Sequence, residues 1–144
     1  MTKMKAYLAG KMSGLTFEEM NNWRVKASKM LIEKSNNRIH VINPCSYYNF
    51  QMDKDTYTEK EVMEFDLQMV KHSNLILVNL KYPDTIGTAI ELFASARIWD
   101  IPVIGFGETT KYPCHPWMKL CLTKECKTLE DAVDYTIDFY LSNF

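Results

Sequence analysis

Short apolar segments alternate along this chain with segments of helical periodicity, and this alternation constrains the fold more than any other feature. The apolar segments predict strands at residues 4–9, 39–42, 75–80 and 101–106, with a short fifth strand at 120–122. The periodic segments predict helices at residues 17–33, 58–71, 88–99 and 129–141. Strands that alternate with helices imply βαβ units, and therefore a parallel sheet with right-handed crossovers.

Two of the predicted helices begin with a recognisable capping signal. Thr16 is followed by Glu19, and Thr58 is followed by Glu61, so each threonine precedes a glutamate by three residues. This spacing is typical of a capping box, in which the two side chains satisfy free backbone N–H groups. The polar, aromatic segment at residues 45–57 lacks clear periodicity and is predicted to be a loop over the site.

The simplest arrangement of these elements is a flavodoxin-like α/β fold, which is a Rossmann-like three-layer sandwich. It has four or five parallel strands in the order 2-1-3-4-5. Its topological switch point lies between strands one and three, where loops 10–15 and 81–87 would meet at one crevice. With 144 residues and no internal repeat, the chain is expected to form one domain, residues 1–144.

Composition narrows the range of functions. The net charge is −1 with scattered Lys and Arg, so no basic footprint for a nucleic acid polymer is present. No apolar run approaches the roughly 18 residues of a membrane span, and no signal-peptide core follows the N-terminus. The four cysteines form no C-x-x-C pair, which favours free buried thiols over a zinc site. We therefore expect a cytoplasmic protein that uses no metal and no cofactor.

Glu91 is the first candidate for chemistry. It follows Gly87 by four residues, in about the first turn of the helix predicted at 88–99, and lies beside the expected crevice. A glutamate near a helix start is also favoured by the helix dipole, so local sequence alone does not require a functional role. Tyr7, inside the first strand, is ordinarily a core aromatic, but its hydroxyl could reach the crevice and orient a carboxylate.

Asp66 is the second candidate. In its predicted helix Val62, Phe65, Met69 and Val70 form an apolar stripe, and their spacing places Asp66 on the same face. A carboxylate turned towards a core costs free energy unless it is partnered or functional. The alternative is an Asp at the boundary of the buried face, with its side chain reaching solvent or a backbone amide.

Two loops supply candidate ligand-binding residues. Gly10, Lys11, Ser13 and Gly14 precede a helix and could hold a phosphate or a sugar hydroxyl, although they match no phosphate-loop motif and fit a plain turn at least as well. The second loop could bind a ligand or cap the following helix. Its candidates are Asp84, Thr85, Gly87 and Thr88.

Together these residues resemble the nucleoside 2-deoxyribosyltransferase-like family, which includes the related 2′-deoxynucleoside 5′-phosphate N-hydrolases. Single pieces are weak, but their order along the first three quarters of the chain is specific. They are Tyr7-Leu8-Ala9-Gly10, Met12-Ser13-Gly14, Asn43-Pro44, Asp66, residues 74–80, Gly87-Thr88-x-x-Glu91 and Pro102-Val103.

The resemblance implies a flavodoxin-like fold and cleavage of the N-glycosidic bond of a nucleoside or nucleotide. It assigns Glu91 as the nucleophile that forms a glycosyl-enzyme intermediate, Tyr7 as the residue that orients it, and Asp66 as the acid at the leaving base. A second base would make the enzyme a transferase, and water would make it a hydrolase. A nucleotide-binding module without turnover is the alternative from another class.

The resemblance also bears on substrate and assembly. Family transferases usually carry an Asp two residues before the turn glycine, where this chain has Thr85, with Asp84 one residue earlier. Thr85, with Lys11 and Ser13, favours a 5′-phosphate, whereas a one-residue shift that brings Asp84 into the site favours the base. Family members are oligomers in which a neighbouring subunit often completes the site, so the resemblance implies that this chain forms a homodimer or higher homo-oligomer with sites completed across subunits. His115-Pro116-Trp117 and Asn143 are candidates for that contribution.

Overall fold

A computed structural model of the protein describes residues 2–48 and 57–144. Within these ranges, five strands form one sheet in the order β2-β1-β3-β4-β5 with every adjacent pair parallel. The strands are β1 (Met4–Ala9), β2 (Ile39–Ile42), β3 (Leu75–Asn79), β4 (Val103–Phe106) and β5 (Lys124–Cys126). The predicted flavodoxin-like order is confirmed, and so is the switch point between β1 and β3.

Helices connect the strands and cover both faces of the sheet. They are α1 (Phe17–Lys34), α2 (Glu59–Lys71), α3 (Ile86–Phe93), α4 (Pro116–Lys119) and α5 (Leu129–Tyr135). Both predicted capping boxes are present, with Thr16 accepting from the Glu19 amide and Thr58 from the Glu61 amide. A 3₁₀ turn at Pro44–Ser46 follows β2, while α3 and α5 continue as π-helical segments at Ala94–Ile98 and Thr136–Leu141.

The alternation of side chains along β1 divides the core into two layers. Ala6 and Leu8 point to the face covered by α1 and α5, where they join one apolar cluster with Leu31. Tyr7 and Ala9 point to the opposite face and belong to a second cluster that includes Val70 of α2 and Leu92 of α3. The result is the predicted three-layer sandwich.

The prediction of a strand at residues 120–122 is wrong. The chain there completes the α4 turn, in which Pro116 occupies the first helical turn and Leu120 caps its end. Leu122 then packs over the β4 glycine, Gly105, where an added Cβ would lie 3.0 Å from a Leu122 methyl. The fifth strand is the more polar segment Lys124–Cys126, whose pairing with β4 its sequence does not signal.

Two further expectations change in detail. The helix that carries Glu91 begins at Ile86 rather than at residue 88, so Gly87 lies inside its first turn and Glu91 in its second. Phe65 is 42% exposed and does not belong to the buried stripe of α2, which centres on Val70. The predicted loop at 45–57 includes the 3₁₀ turn, and its residues 49–56 lie outside the described part of the chain.

In the described ranges, no helix is both long and apolar enough to cross a membrane.

Candidate active site

The two loops at the switch point open into one cavity of about 500 Å³. One wall comes from the turn after β1 and the start of α1, a second from the N-terminal half of α3, and a third from α2 and the tyrosines near it. The residues that line it are Gly10, Met12, Ser13, Gly14, Leu15, Met20, Tyr48, Tyr57, Glu59, Val62, Met63, Asp66, Leu67, Thr85, Gly87, Thr88, Ile90 and Glu91. The cavity lies at the carboxyl ends of β1 and β3, where open α/β sheets bind small ligands.

Glu91 lines the cavity and is held from behind by Tyr7. The Tyr7 hydroxyl donates to Glu91 Oε2 over 2.5 Å, which joins two residues that are 84 positions apart. Tyr7 is 1% exposed and lies in β1, between β2 and β3, so its ring is fixed by packing. The hydrogen bond therefore fixes one carboxylate oxygen of Glu91, and no residue of the described ranges hydrogen-bonds the other oxygen, Oε1.

The environment of Glu91 favours its neutral form. Burial raises the pKa of this carboxyl to about 8, and the nearby Asp66 carboxylate adds to the increase. The Tyr7 hydrogen bond and the charge of Arg24 act in the opposite direction, because both favour the ionised form. Burial and the same contact raise the pKa of the Tyr7 phenol, which stays protonated and able to donate.

Asp66 lies on the α2 wall and is bound by two tyrosines. The Tyr48 hydroxyl donates to Asp66 Oδ1 over 2.8 Å and the Tyr47 hydroxyl to the same oxygen over 3.2 Å. Burial raises the pKa of Asp66, whereas the two tyrosine hydrogen bonds and Arg24 oppose that increase. Asp66 is thus a partnered, half-buried carboxyl that faces the cavity, which combines the two explanations open from the sequence.

The turn after β1 contributes backbone and one hydroxyl. Gly10, Ser13 and Gly14 line the cavity, but Lys11 does not. Gly14 has φ of +78°, a left-handed conformation that a residue with a side chain rarely adopts. The structure therefore brings three of the four candidates of this turn to the site and leaves the lysine out.

The start of α3 faces the same space. Thr85, Gly87 and Thr88 line the cavity, while Asp84 does not. Thr85 occupies the N-cap position without a side-chain capping bond, so its hydroxyl does not serve the helix. An added Cβ at Gly87 would meet nothing within 4 Å, so the helix start is open on that side.

The candidates from the last quarter of the chain lie away from this cavity. His115 caps α4 by accepting from the Trp117 amide over 3.1 Å, and Asn143 donates to the Phe139 carbonyl over 2.6 Å. Among the residues that the structure describes, no group of three or more His, Cys, Asp or Glu could hold a metal ion.

Sequence reasoning missed most of the cavity wall. Apolar and sulfur-containing side chains of α1, α2 and α3 line it, among them Met20, Met63 and Ile90, together with the Tyr48 and Tyr57 rings. The available signal was the aromatic content of residues 45–57, which the sequence placed over the site without assigning contacts. A cavity that combines apolar walls with a few convergent polar groups suits a ligand with a flat apolar part and a polar part.

Arg24 was also missed. It lies on α1 between Met20 and Ala27, at helical spacing, and its side chain is fully buried. The guanidinium donates to three main-chain carbonyls, those of Leu8 (3.2 Å), Gly10 (3.0 Å) and Met20 (2.5 Å). A basic residue inside an apolar stripe was the signal that could have revealed it.

Comparisons with solved structures support the same fold. A conserved protein from Enterococcus faecalis V583 superposes with a TM-score of 0.78 at 14% identity, covering 92% of this chain and 96% of that one. A 2-deoxyribosyltransferase from Bacillus psychrosaccharolyticus gives 0.71 at 24% identity over 95% and 94% of the two chains. A 2-deoxyribosyltransferase from Leishmania mexicana gives 0.60 at 14% identity over 95% and 99%.

This chain has the nucleoside 2-deoxyribosyltransferase-like fold. No protein-family model and no curated protein sequence matches it. The structural matches span nearly the whole of this chain and of each matched chain.

Proposed function

We propose that this protein cleaves the N-glycosidic bond of a nucleoside through covalent catalysis by Glu91. The observation that carries the proposal is the Glu91 carboxyl, held by the Tyr7 hydroxyl at 2.5 Å inside a cavity whose α2 wall presents Asp66. A positioned carboxylate and a second carboxyl of different environment are the two groups that glycosidic chemistry requires. Two of the matched structures are 2-deoxyribosyltransferases, which supports the same chemistry here.

In the proposed reaction, Glu91 Oε1 attacks the anomeric carbon while the bond between that carbon and the base nitrogen breaks. The electron pair of the broken bond stays on the base, which is protonated by Asp66 or through it. A second base, which gives transfer, or water, which gives hydrolysis, then attacks the anomeric carbon, and the bond to Glu91 Oε1 breaks with its electron pair left on the carboxylate. The acceptor gives up a proton to Asp66, which the first step left ionised. Tyr7 holds the Glu91 carboxylate in orientation through both steps.

The proposal requires the ionised form of Glu91. Since burial raises the pKa of this group to about 8, most of it is protonated at pH 7 in the free protein. Catalysis through Glu91 should therefore increase with pH across the range from 7 to 8. This dependence arises from the cavity itself and is independent of which base is removed.

The charge of the cavity favours an uncharged nucleoside as the substrate. Apart from the tyrosines, the ionisable side chains among the described lining residues are Glu59, Asp66 and Glu91, and all three are carboxyls that can only be neutral or negative. A 5′-phosphate would meet this negative field without a lysine, arginine or histidine from those residues. Nucleoside cleavage is accordingly the leading form of the proposal.

A 5′-monophosphate is the second candidate, because of one observation at α3. Thr85, Gly87 and Thr88 bring the N-terminal end of this helix to the cavity, and helix N-terminal N–H groups are suited to anions. Ser13 from the facing turn could add a hydroxyl donor. These neutral donors are the groups with which such a substrate would have to be bound.

We also propose that the protein self-associates through α3. Ile86, Ile90 and Phe93 lie at helical spacing and are 81%, 42% and 55% exposed, and Trp117 of the adjoining α4 is 78% exposed. Ile90 lines the cavity, so a partner on this surface would sit at its rim. Sedimentation of the wild type and of Ile86→Lys/Phe93→Lys tests this, since a monomeric wild type would exclude it.

The four free thiols suit the reducing cytoplasm, where we propose the protein acts.

The experiment combines substrate choice with detection of the covalent intermediate. The protein is incubated with a 2′-deoxynucleoside, a ribonucleoside or the corresponding 5′-monophosphate, each with and without a second free base. Transfer predicts a new nucleoside only with the acceptor, and hydrolysis predicts free base in both conditions. Intact-mass analysis after acid quenching should show the glycosyl adduct, and peptide mapping should place it on Glu91.

Glu91→Gln should form no adduct, and Glu64→Gln is its matched control, because Glu64 lies on the exposed face of α2 and pairs with Lys60 over 3.7 Å. The control variant should form the adduct as the wild type does. If no substrate released base and thermal stabilisation by nucleoside were still observed, the protein would be a binding module and the catalytic proposal would be wrong.

A further inference from the structure

The buried guanidinium of Arg24 lies directly beneath the proposed active site. Two of the carbonyls that it binds belong to Gly10 and Met20, and both residues line the cavity. The third is that of Leu8, near the end of β1 and one residue after Tyr7. Arg24 therefore connects the end of β1, the first turn and α1 at the point where they form the cavity floor.

The partners of Arg24 satisfy the hydrogen-bond donors of its guanidinium but do not balance its positive charge. Its oxygen acceptors are main-chain carbonyls, the Cys45 sulfur lies 3.7 Å from Nη1, and the Trp23 ring centroid lies 4.7 Å from Cζ. Among the described ion pairs, none involves Arg24. A fully buried cation without a bonded carboxylate is unfavourable, and burial accordingly lowers the pKa of this arginine.

The carboxyls with which the charge of Arg24 interacts electrostatically are those of the cavity. Arg24 interacts favourably with Glu91 and with Asp66, and it lowers the pKa of both carboxyls against the effect of burial. A charge that contacts neither carboxylate can act on both at once through the low-dielectric interior. Removing it would leave the acidic cavity without its described buried cation.

We propose that Arg24 is a positioning residue with two roles: its hydrogen bonds hold the first turn against β1, and its buried charge beneath the cavity floor stabilises the Glu91 carboxylate. This inference rests on the proposed function of Glu91. A purely structural arginine would have the first role alone, so the two roles can be separated by variants that keep the charge or keep a donor.

Among the residues that the structure describes, the other groups that face Glu91 come from β1, from α2 and from the wall formed by Tyr48. From β1 the Tyr7 hydroxyl donates to it, from α2 the Asp66 carboxyl faces it, and the Tyr48 phenol interacts with it from the wall. Glu59, also on α2, lines the same cavity. None of these groups is changed by a substitution at position 24.

The test compares Arg24→Gln with Arg24→Lys by the pH dependence of kcat/KM for base release. Arg24→Gln keeps an amide donor and loses the charge, so the acid limb of the pH profile should move about one pH unit higher, the order of magnitude expected for one charge in a protein interior. Activity at pH 7 should then be about tenfold lower and should recover at alkaline pH. Arg24→Lys should leave the acid limb of the kcat/KM profile in place and lower the maximal value of kcat/KM. The reason is that an ammonium cannot reproduce the planar set of N–H donors of the guanidinium.

The control is Arg97→Gln, which removes an equal charge from the π-helical continuation of α3. Arg97 is exposed and donates to the Leu120 carbonyl over 3.3 Å, so its charge is screened by solvent. Its pH profile should match that of the wild type. An Arg24→Gln profile with a lower plateau and an unmoved acid limb would overturn the inference, and so would a failure of both Arg24 variants to fold by circular dichroism.

The same quantity can be measured without turnover, which separates this inference from the proposed function. In protein labelled with ¹³C at glutamate side-chain carboxyls, the Glu91 resonance is identified by its loss in Glu91→Gln and titrated in each variant. A higher titration midpoint in Arg24→Gln than in Arg24→Lys supports the role of the charge even if no substrate is cleaved. Equal midpoints would refute it even in an active enzyme.

Discussion

Two glutamates of this protein lie at opposite extremes of ionisation, and their surroundings explain why. Glu108, in the loop after β4, is paired with Lys119, which also bonds Glu125 over 2.7 Å. These contacts lower the pKa of Glu108 to about 2. Glu91 has a phenol in place of an ammonium as its bonded partner, and burial raises its pKa to about 8.

The difference shows how the fold separates stability from reactivity. A carboxylate paired with lysine is stabilised as the anion. Its low basicity makes it a poor nucleophile towards a substrate. A carboxyl held by a neutral donor in a cavity is costly to ionise and becomes a strong nucleophile once it is ionised. Substitutions at the two glutamates and at their partners can break this contrast, and we expect the largest effect at Glu91.

Glu91→Gln should reduce base release by roughly 10³-fold or more, because the substitution removes the proposed nucleophile and keeps the shape of the side chain. Glu108→Gln, the same substitution in the lysine-paired cluster, should release base at the wild-type rate. Initial rates by chromatography measure both. Equal rates for Glu91→Gln and Glu108→Gln would show that the two glutamates do not differ in their contribution to activity.

The same Glu91→Gln variant should be more stable than the wild type at alkaline pH. Glu91 has a folded-state pKa near 8 against an ordinary value of 4.5, so ionisation destabilises the fold progressively between these values and fully above 8. We expect a gain in the free energy of unfolding of about 2–4 kcal/mol at pH 9 relative to the change at pH 4. Urea unfolding at both pH values measures it, and a gain independent of pH would show that ionisation of Glu91 is not its cause.

Tyr7→Phe should have a smaller effect on activity than removal of the carboxyl itself. The hydroxyl favours the ionised form of Glu91, so its loss should raise the pKa of Glu91 and move the acid limb of kcat/KM to higher pH. At pH 7 we expect a reduction of about tenfold, the value of one charge-assisted hydrogen bond. Tyr112→Phe, at a 46% exposed position, is the control; an unmoved limb in Tyr7→Phe would mean that the hydroxyl only packs.

Lys119→Met should have the smallest effect and act on stability alone. Its partners are partly exposed, so we expect a loss of about 1 kcal/mol or less. Because the Glu108 pKa is lowered, this contribution is present above the ordinary value of 4.5 and is lost as the pH falls towards 2. Thermal unfolding at pH 7 and pH 3, with Lys60→Met as the exposed-pair control, measures it, and base release should not change.

The fold could be predicted well because its strands are apolar and its connections are helical. The order 2-1-3-4-5 followed from that alternation and from the limited ways of connecting parallel strands. The edge strand escaped because Lys124–Cys126 is largely exposed and carries no apolar run, whereas the apolar segment before it ends α4 and covers Gly105. Apolar periodicity thus identified central strands and failed at the edge.

The sequence predicted the two loops of the candidate site but not the buried residues beneath it or the tyrosines around Asp66. Glu91 and Asp66 stood out because a carboxylate near a predicted crevice or apolar face requires a reason. Arg24 did not stand out, since its position was judged by the apolar residues around it, and its partners are carbonyls that every residue carries. The tyrosines at Asp66 were equally hidden, because their contacts depend on the path of the chain after β2.

The separation of Tyr7 and Glu91 along the chain also affects the order of events during synthesis. Glu91 lies 84 positions after Tyr7, so at about 5–20 residues per second it is translated roughly 4–17 s after Tyr7. During that interval β1 can pair with β2, and Arg24 can already bind its three carbonyls, all of which lie within the first 24 residues. The positively charged floor of the cavity can thus be complete in the nascent chain before either acidic partner has been translated.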